Sequence, residues 1–148
     1  MAPGNPHETA LGWLAGAAPD PDRCRQDWAR AGSALLLLPA GQQWDLLSVP
    51  DALGLPALDV LTRLPGGGPV LAGSGQVGFL VPVGTAARWF GTGVKVAGPG
   101  LWVALPHPAR RRHGLRWLVP PDGSGRLVDP VLLELALHDA AARRHTAG

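Results

Sequence analysis

The chain has 148 residues, enough for one domain that buries a core without disulfides. Hydrophobic residues make up 46% and charged residues 16%, which excludes disorder driven by charge, and a net charge of +2 excludes a strong long-range field. Gly and Pro number 21 and 16 without a repeat period, which excludes collagen and argues for many turns over a long bundle or coiled coil.

Residues 1–19 read as a partly loose leader, with a short helix over 8–17, and 20–145 as the single domain. Asp20-Pro21 is a helix start, Asp as cap and Pro at the first helical position, and Gly32 ends that helix after Ala31. SALLLLP at 33–39 is a short apolar run bounded by Gly and Pro, hence a buried strand, and WDLLSV at 44–49 is a second. Leucines at 53, 55, 58, 61 and 64 have helical spacing, with Gly54 and Pro56 as points where the helix splits. Two apolar stretches around Gly73-Ser74-Gly75 predict a hairpin over 68–84. A short helix follows over 85–90 with Thr85 as cap, then strands over 93–97, 101–105 and 115–119. The segment 106–113 between the last two is a loop carrying Arg110, Arg111 and Arg112. Asp129-Pro130 repeats the helix start, for a helix to about Arg143. This order predicts an α+β fold, a mostly antiparallel or mixed sheet packed with helices.

Most of the chemistry-bearing residues have structural explanations. A single cysteine, Cys24, excludes an internal disulfide and a zinc site built from several Cys, and suits a reducing cytoplasm. No apolar run reaches the length of a membrane span, so no membrane partner is expected. Among nine Asp and two Glu, Asp20 and Asp129 are helix caps, while Asp45 heads a predicted strand beside Trp44. Asp45 is either a metal ligand or base, or a strand-entry residue bonded to a turn amide, and the second reading is favoured. No Asp-x-Asp falls on a predicted strand, so no local pair offers a two-metal site. His107 and His113 flank the Arg run without a third ligand and read as parts of a solvated loop. Ser74 lies between two glycines and lacks the strand-to-helix elbow of a serine nucleophile. Six Trp are expected mostly in or near the core, with Trp117 and Arg116 on opposite faces of their strand. Twelve Arg against one Lys, Lys95, reflect GC-rich coding, which weakens any single Arg as a mark of phosphate binding.

Three stretches of the second half carry a family likeness. GSGQVGFLVP at 73–82, VAGPGLWVALPHP at 96–108 and HGLRWLVPP at 113–121 resemble, in order, segments of the prim-pol family. That family is the N-terminal domain of bifunctional DNA primase/polymerases, and the short stand-alone actinobacterial versions are the most similar. The likeness spans about residues 33–140. It implies a prim-pol-like fold, and places Gln76 where the family has its catalytic His. The family's paired aspartates, which bind the divalent metals, have no counterpart, and Asp45 is the only acidic strand residue near that place. Gln76 donates a hydrogen bond but cannot carry the charge of an imidazolium.

The expectation is therefore a catalytically degenerate primase/polymerase-like domain with Asp45 and Gln76 as vestiges. It needs no cofactor, with Mg²⁺ or Mn²⁺ entering only if a carboxylate site survives. Arg110, Arg111 and Arg112, with Arg116, are the candidate phosphate contacts for weak binding of a nucleotide or nucleic acid. The alternative is a protein-interaction or regulatory module on the same scaffold, and an active primase/polymerase is the remote one. The strand at 44–49 and the hairpin at 68–82 are expected side by side, with Gln76 facing a cleft lined also by Gly78 and Leu80, with Val77, Phe79 and Val81 in the core, and with no carboxylate other than Asp45 near Gln76.

Overall fold

The structure, a computed structural model, describes residues 6–31, 35–65, 67–108 and 114–147. Asp-Pro starts act where the sequence placed them. Asp20 Oδ1 accepts a hydrogen bond from the Arg23 amide at 3.2 Å, opening α2 (Pro21–Ala31). Asp129 Oδ1 accepts from the Val131 amide at 2.8 Å, opening α5 (Pro130–Ala147). Ahead of α2, α1 (Pro6–Ala15) belongs to the packed structure, since Ala10, Leu14, Ala15 and Ala17 are buried.

The strands are β1 (Leu35–Pro39), β2 (Asp45–Pro50), β3 (Val70–Gly73), β4 (Gln76–Val81), β5 (Lys95–Ala97), β6 (Trp102–Pro106) and β7 (Leu115–Val119). The predicted hairpin is β3–β4. Ser74 and Gly75 both take positive φ, 55° and 78°, which gives the two-residue turn whose twist matches paired strands. Between β2 and β3 lies α3 (Asp51–Thr62), unbroken despite Pro56, and α4 (Thr85–Trp89) follows β4. Gly54 lets α3 lie against the sheet, since a Cβ there would run into Val77 Cβ.

Every described pairing is antiparallel. One sheet has the order β5-β2-β4-β3-β7, and β1 with β6 forms a separate two-stranded sheet. The domain is thus α+β, with the larger sheet in the middle. On one of its faces, Leu47, Val49, Val77, Phe79 and Val81 pack with Ala57 and Leu61 of α3 and Leu133, Ala136 and Ala140 of α5. On the other, Leu71 and Leu80 pack with Leu36, Leu38 and Leu105 of the smaller sheet and with Leu14 and Trp28 of α1 and α2. Burial on both faces explains why β4 reads QVGFLV rather than alternating apolar and polar. Of the six Trp, Trp44 and Trp28 are buried, Trp13, Trp89 and Trp117 are half-buried, and Trp102 is exposed.

Among the described residues one expected feature is absent. Leu80 is fully buried and Gly78 is buried too, a Cβ on Gly78 lying within 3.1 Å of Leu46 Cδ1. The β1–β6 layer and α1 cover this part of the face, so Gln76, Gly78 and Leu80 do not line a cleft. Phe79 lies in the core as expected, fully buried.

Candidate functional site

Asp45, the carboxylate singled out by the sequence, is fully buried at the start of β2. Its Oδ2 accepts hydrogen bonds from the amides of Gly84 and Ala86, both at 2.9 Å. These amides belong to the entry of α4, whose cap residue Gly84 has φ 100° and makes no side-chain cap bond. The Thr85 hydroxyl, expected as the cap, donates instead to the Pro82 carbonyl at 2.6 Å. Asp45 therefore satisfies the orphan amides of α4 from a different strand, and the carboxylate pins α4 onto β2. Its other oxygen, Oδ1, is buried without a hydrogen-bond partner among the described residues.

β2 and the hairpin lie side by side as expected, but Gln76 does not lie near Asp45. The register pairs Asp45 with Val81 and Pro50 with Gln76, so the two residues occupy opposite ends of the β2–β4 ladder. Five residues of strand separate them, about 16 Å at 3.3 Å per residue. They also face opposite ways: Asp45 shares the side of Leu47 and Val49, Gln76 that of Leu80. The β2 residues that share the side of Gln76 at its own end are Ser48, opposite Gly78, and Pro50, opposite Gln76 itself. Across β2, Ser48 pairs with Lys95, which is exposed. This end of the face thus carries Gln76, Ser48, Pro50 and the Lys95 ammonium, and no carboxylate among the strand residues. Gln76 is half-buried, and its Oε1 has no hydrogen-bond partner among the described residues.

β7 starts at this same end, Leu115 pairing with Gly73 and Gly73 with Gln76. Arg110, Arg111 and Arg112 precede it in the chain and lie outside the described residues, as does His113. Arg116 is exposed on β7. Trp117, next along the strand, packs inward, and its indole N–H donates to the Pro106 carbonyl at 2.6 Å. His107, read from sequence as part of a solvated loop, is buried at 6% exposure, because the chain leaving β6 stays against the domain after Leu105 and Pro106. Among the described residues no three His, Cys, Asp or Glu side chains come together in a way that would hold a metal ion. Burial, and secondarily the Asp27 carboxylate, push the Cys24 thiol pKa up, so it is a poor nucleophile.

A cleft of about 480 Å³ lies between α4 and α5, a size suited to a small ligand or a few side chains of a partner. Val49, Leu53 and Val94 floor it, with Trp89 on one wall and Val131 on the other. Arg88, exposed and without an ion pair among the described residues, stands at its rim, as do Glu134 and His138, whose Oε1 and Nε2 are 3.9 Å apart. Sequence reasoning missed this cleft. Its only signal is the four-residue spacing of Glu134 and His138 beside that of Val131 and Leu135.

Among the described residues no helix is long and apolar enough to cross a membrane. No family model, curated protein or solved structure matches the chain.

Proposed function

We propose that this chain is a catalytically degenerate primase/polymerase-like domain that retains weak binding of nucleic acid. The observation that carries the reading is the β2–β4 register. Gln76 stands where the resembled family has its His, and the two β2 positions beside it on the same face are Ser48 and Pro50. A pair of metal-binding carboxylates two residues apart on one strand and facing that His would occupy such positions. Here they hold a hydroxyl and a proline. Asp45 does not substitute, since one of its oxygens already accepts two amides and it faces the other side of the sheet. The residues present thus do not fit a pair of Mg²⁺ or Mn²⁺ ions, and no nucleotidyl transfer is derived through them.

What this end of the face offers is hydrogen-bonding groups and positive charge. Lys95 lies on it, while Arg116, exposed on the edge strand that starts there, pairs with Ala72 and so faces the other side, the side of Val77. Such a surface suits a phosphodiester backbone, with an affinity that falls as salt rises. Fluorescence anisotropy with a labelled single-stranded oligonucleotide at low salt tests this, using the wild type, Lys95→Ala with Arg116→Ala, and Arg110, Arg111 and Arg112 all changed to Ala. Binding that weakens in both variants is expected. Absence of binding, or binding indifferent to all five substitutions, refutes it. In a primer-extension assay with Mg²⁺ or Mn²⁺, neither the wild type nor Gln76→His should extend, and extension by either refutes the degenerate reading.

A second reading, a protein-interaction module, is favoured by the outer surface of the β1–β6 sheet. Leu37 and Trp102 are 61% and 54% exposed there with no charged residue on either strand. Recovery of one stoichiometric protein partner, lost on Trp102→Glu, would support that reading over the first.

A further inference from the structure

The cleft between α4 and α5 is what the packing leaves open. α4 is held on β2 and β5, and α5 on α3, so the two helices stand as separate walls over the floor of Val49, Leu53 and Val94. The volume of about 480 Å³ falls within the ~300–1,000 Å³ of small-molecule sites. Its middle is apolar, and each wall carries polar groups: Arg88 on the α4 side, Glu134 and His138 on the α5 side. The Arg88 guanidinium cannot lose its proton and has no ion pair among the described residues. Glu134 Oε1 and His138 Nε2 stand 3.9 Å apart, too far for a hydrogen bond, so the carboxylate keeps its capacity to accept one. Trp89, half-buried, lines the same wall as Arg88.

We propose that this cleft binds a small aromatic carboxylate that carries a hydrogen-bond donor at the end away from its carboxylate. Arg88 takes the carboxylate, through two parallel N–H donors of the guanidinium fork. The ring lies on the apolar floor beside Trp89, where aromatic pairs pack offset or edge to face. The donor, a phenolic hydroxyl or a ring amine, reaches Glu134, whose carboxylate only accepts. The two walls together select the ligand. A molecule with a carboxylate at both ends would set one of them against Glu134, and an amine without a carboxylate would set its charge against Arg88. A ring acid without a donor would satisfy Arg88 and leave Glu134 unused. The cleft is independent of the nucleic-acid surface. Val49 faces the opposite side of the sheet from Gln76 and Lys95, so either reading can fail alone.

Amide NMR of the full chain tests it, with 4-hydroxyphenylacetate as the probe, added to about 10 mM. A ligand of this size binds with a dissociation constant on the order of 1 mM. Saturable shifts are expected at the amides of Val94 and Leu137 and at the Trp89 indole N–H, all of which line the cleft. Phenylacetate, which lacks the hydroxyl, should bind several-fold more weakly, and tyramine, which has an ammonium in place of the carboxylate, should not bind. Arg88→Gln, at an exposed position, should weaken the probe at least about tenfold with the rest of the spectrum unchanged. Glu134→Ala should erase the difference between the probe and phenylacetate. Ala141→Trp, which fills the cleft from an exposed position of α5, should abolish binding. Arg126→Gln makes the same charge change on the loop that packs against α1, and should leave binding as it is. Absence of shifts at the cleft overturns the proposal. So does a probe that binds as tightly to Arg88→Gln or Ala141→Trp, that Arg126→Gln weakens as much as Arg88→Gln, or that phenylacetate or tyramine equals on the wild type.

Discussion

Replacing Asp45 separates a carboxylate that holds the fold from one that holds a metal. In the folded chain Oδ2 accepts two amide hydrogen bonds of 2.9 Å, and the residue is fully buried. A hydrogen bond to a charged group contributes about 1.5–3 kcal/mol, and two of them, offset by the cost of burying the carboxylate, leave about 3 kcal/mol for Asp45→Ala. For a chain of 148 residues that is a fall in Tm of roughly 6–12 °C. Asp45→Asn keeps an acceptor of the same shape and should lose about half as much. Urea unfolding followed by tryptophan fluorescence gives the free energies, and thermal melts with and without millimolar Mn²⁺ give the metal dependence. If Asp45 works only as a cap, Mn²⁺ leaves the Tm of wild type and Asp45→Asn alike. An Asp45→Ala midpoint within about 1 °C of wild type would refute the capping account, being well short of the expected shift. A Mn²⁺-induced rise in Tm present in wild type and absent in Asp45→Asn would show the carboxylate to be a metal ligand instead.

Gly54→Ala should cost about 2–3 kcal/mol in the same unfolding assay, because its Cβ would run into Val77 Cβ and α3 must lift off the sheet. Equal stability of the two proteins would mean that α3 sits further from β4. Gly75→Ala meets nothing within 4 Å, so its cost is the positive φ alone, about 1 kcal/mol, with Gly75→Asn losing less. Cys24, whose thiol is held above its usual pKa by burial and then by Asp27, should react with a disulfide reagent at pH 8 several-fold more slowly than a free thiol. The rate should rise as pH is raised further and as Asp27 becomes Asn, and a rate equal to that of free cysteine would contradict the burial.

Local chemistry carried much of the fold into the sequence. Asp20-Pro21 and Asp129-Pro130 mark the starts of α2 and α5, and Gly73-Ser74-Gly75 marks the β3–β4 turn, because caps and tight turns are decided by neighbours in the chain. Pro56 misled in the other direction. It stands in the second turn of α3, and the helix continues through it because packing of Gly54 on Val77 and burial of Ala57 and Leu61 outweigh one missing amide. What the sequence hid was non-local. Alternation told that Leu80 faces away from Phe79, but not that β1 and β6 would cover it. It told that β2 holds an aspartate, but not that Asp45 lies at the far end of the ladder from Gln76. The capping of α4 by Asp45 spans about 40 positions, and no local motif announces it.

The pairing of β1 with β6 also orders events during synthesis. Leu38 pairs with Val103, about 65 positions later in the chain. While translation proceeds, the β3–β4 hairpin closes in microseconds over its two-residue turn and pairs at once with β2, which has already emerged. The four-leucine strand has no such neighbour to meet. It waits seconds, at 5–20 residues per second, until Trp102–Pro106 leaves the ribosome. During that interval an uncharged leucine segment with unpaired backbone groups is open to other nascent chains. The wide separation of β1 from β6 in the chain thus makes β1 the segment where chaperone demand and inclusion-body formation should concentrate, and slower synthesis should lengthen its exposure rather than shorten it.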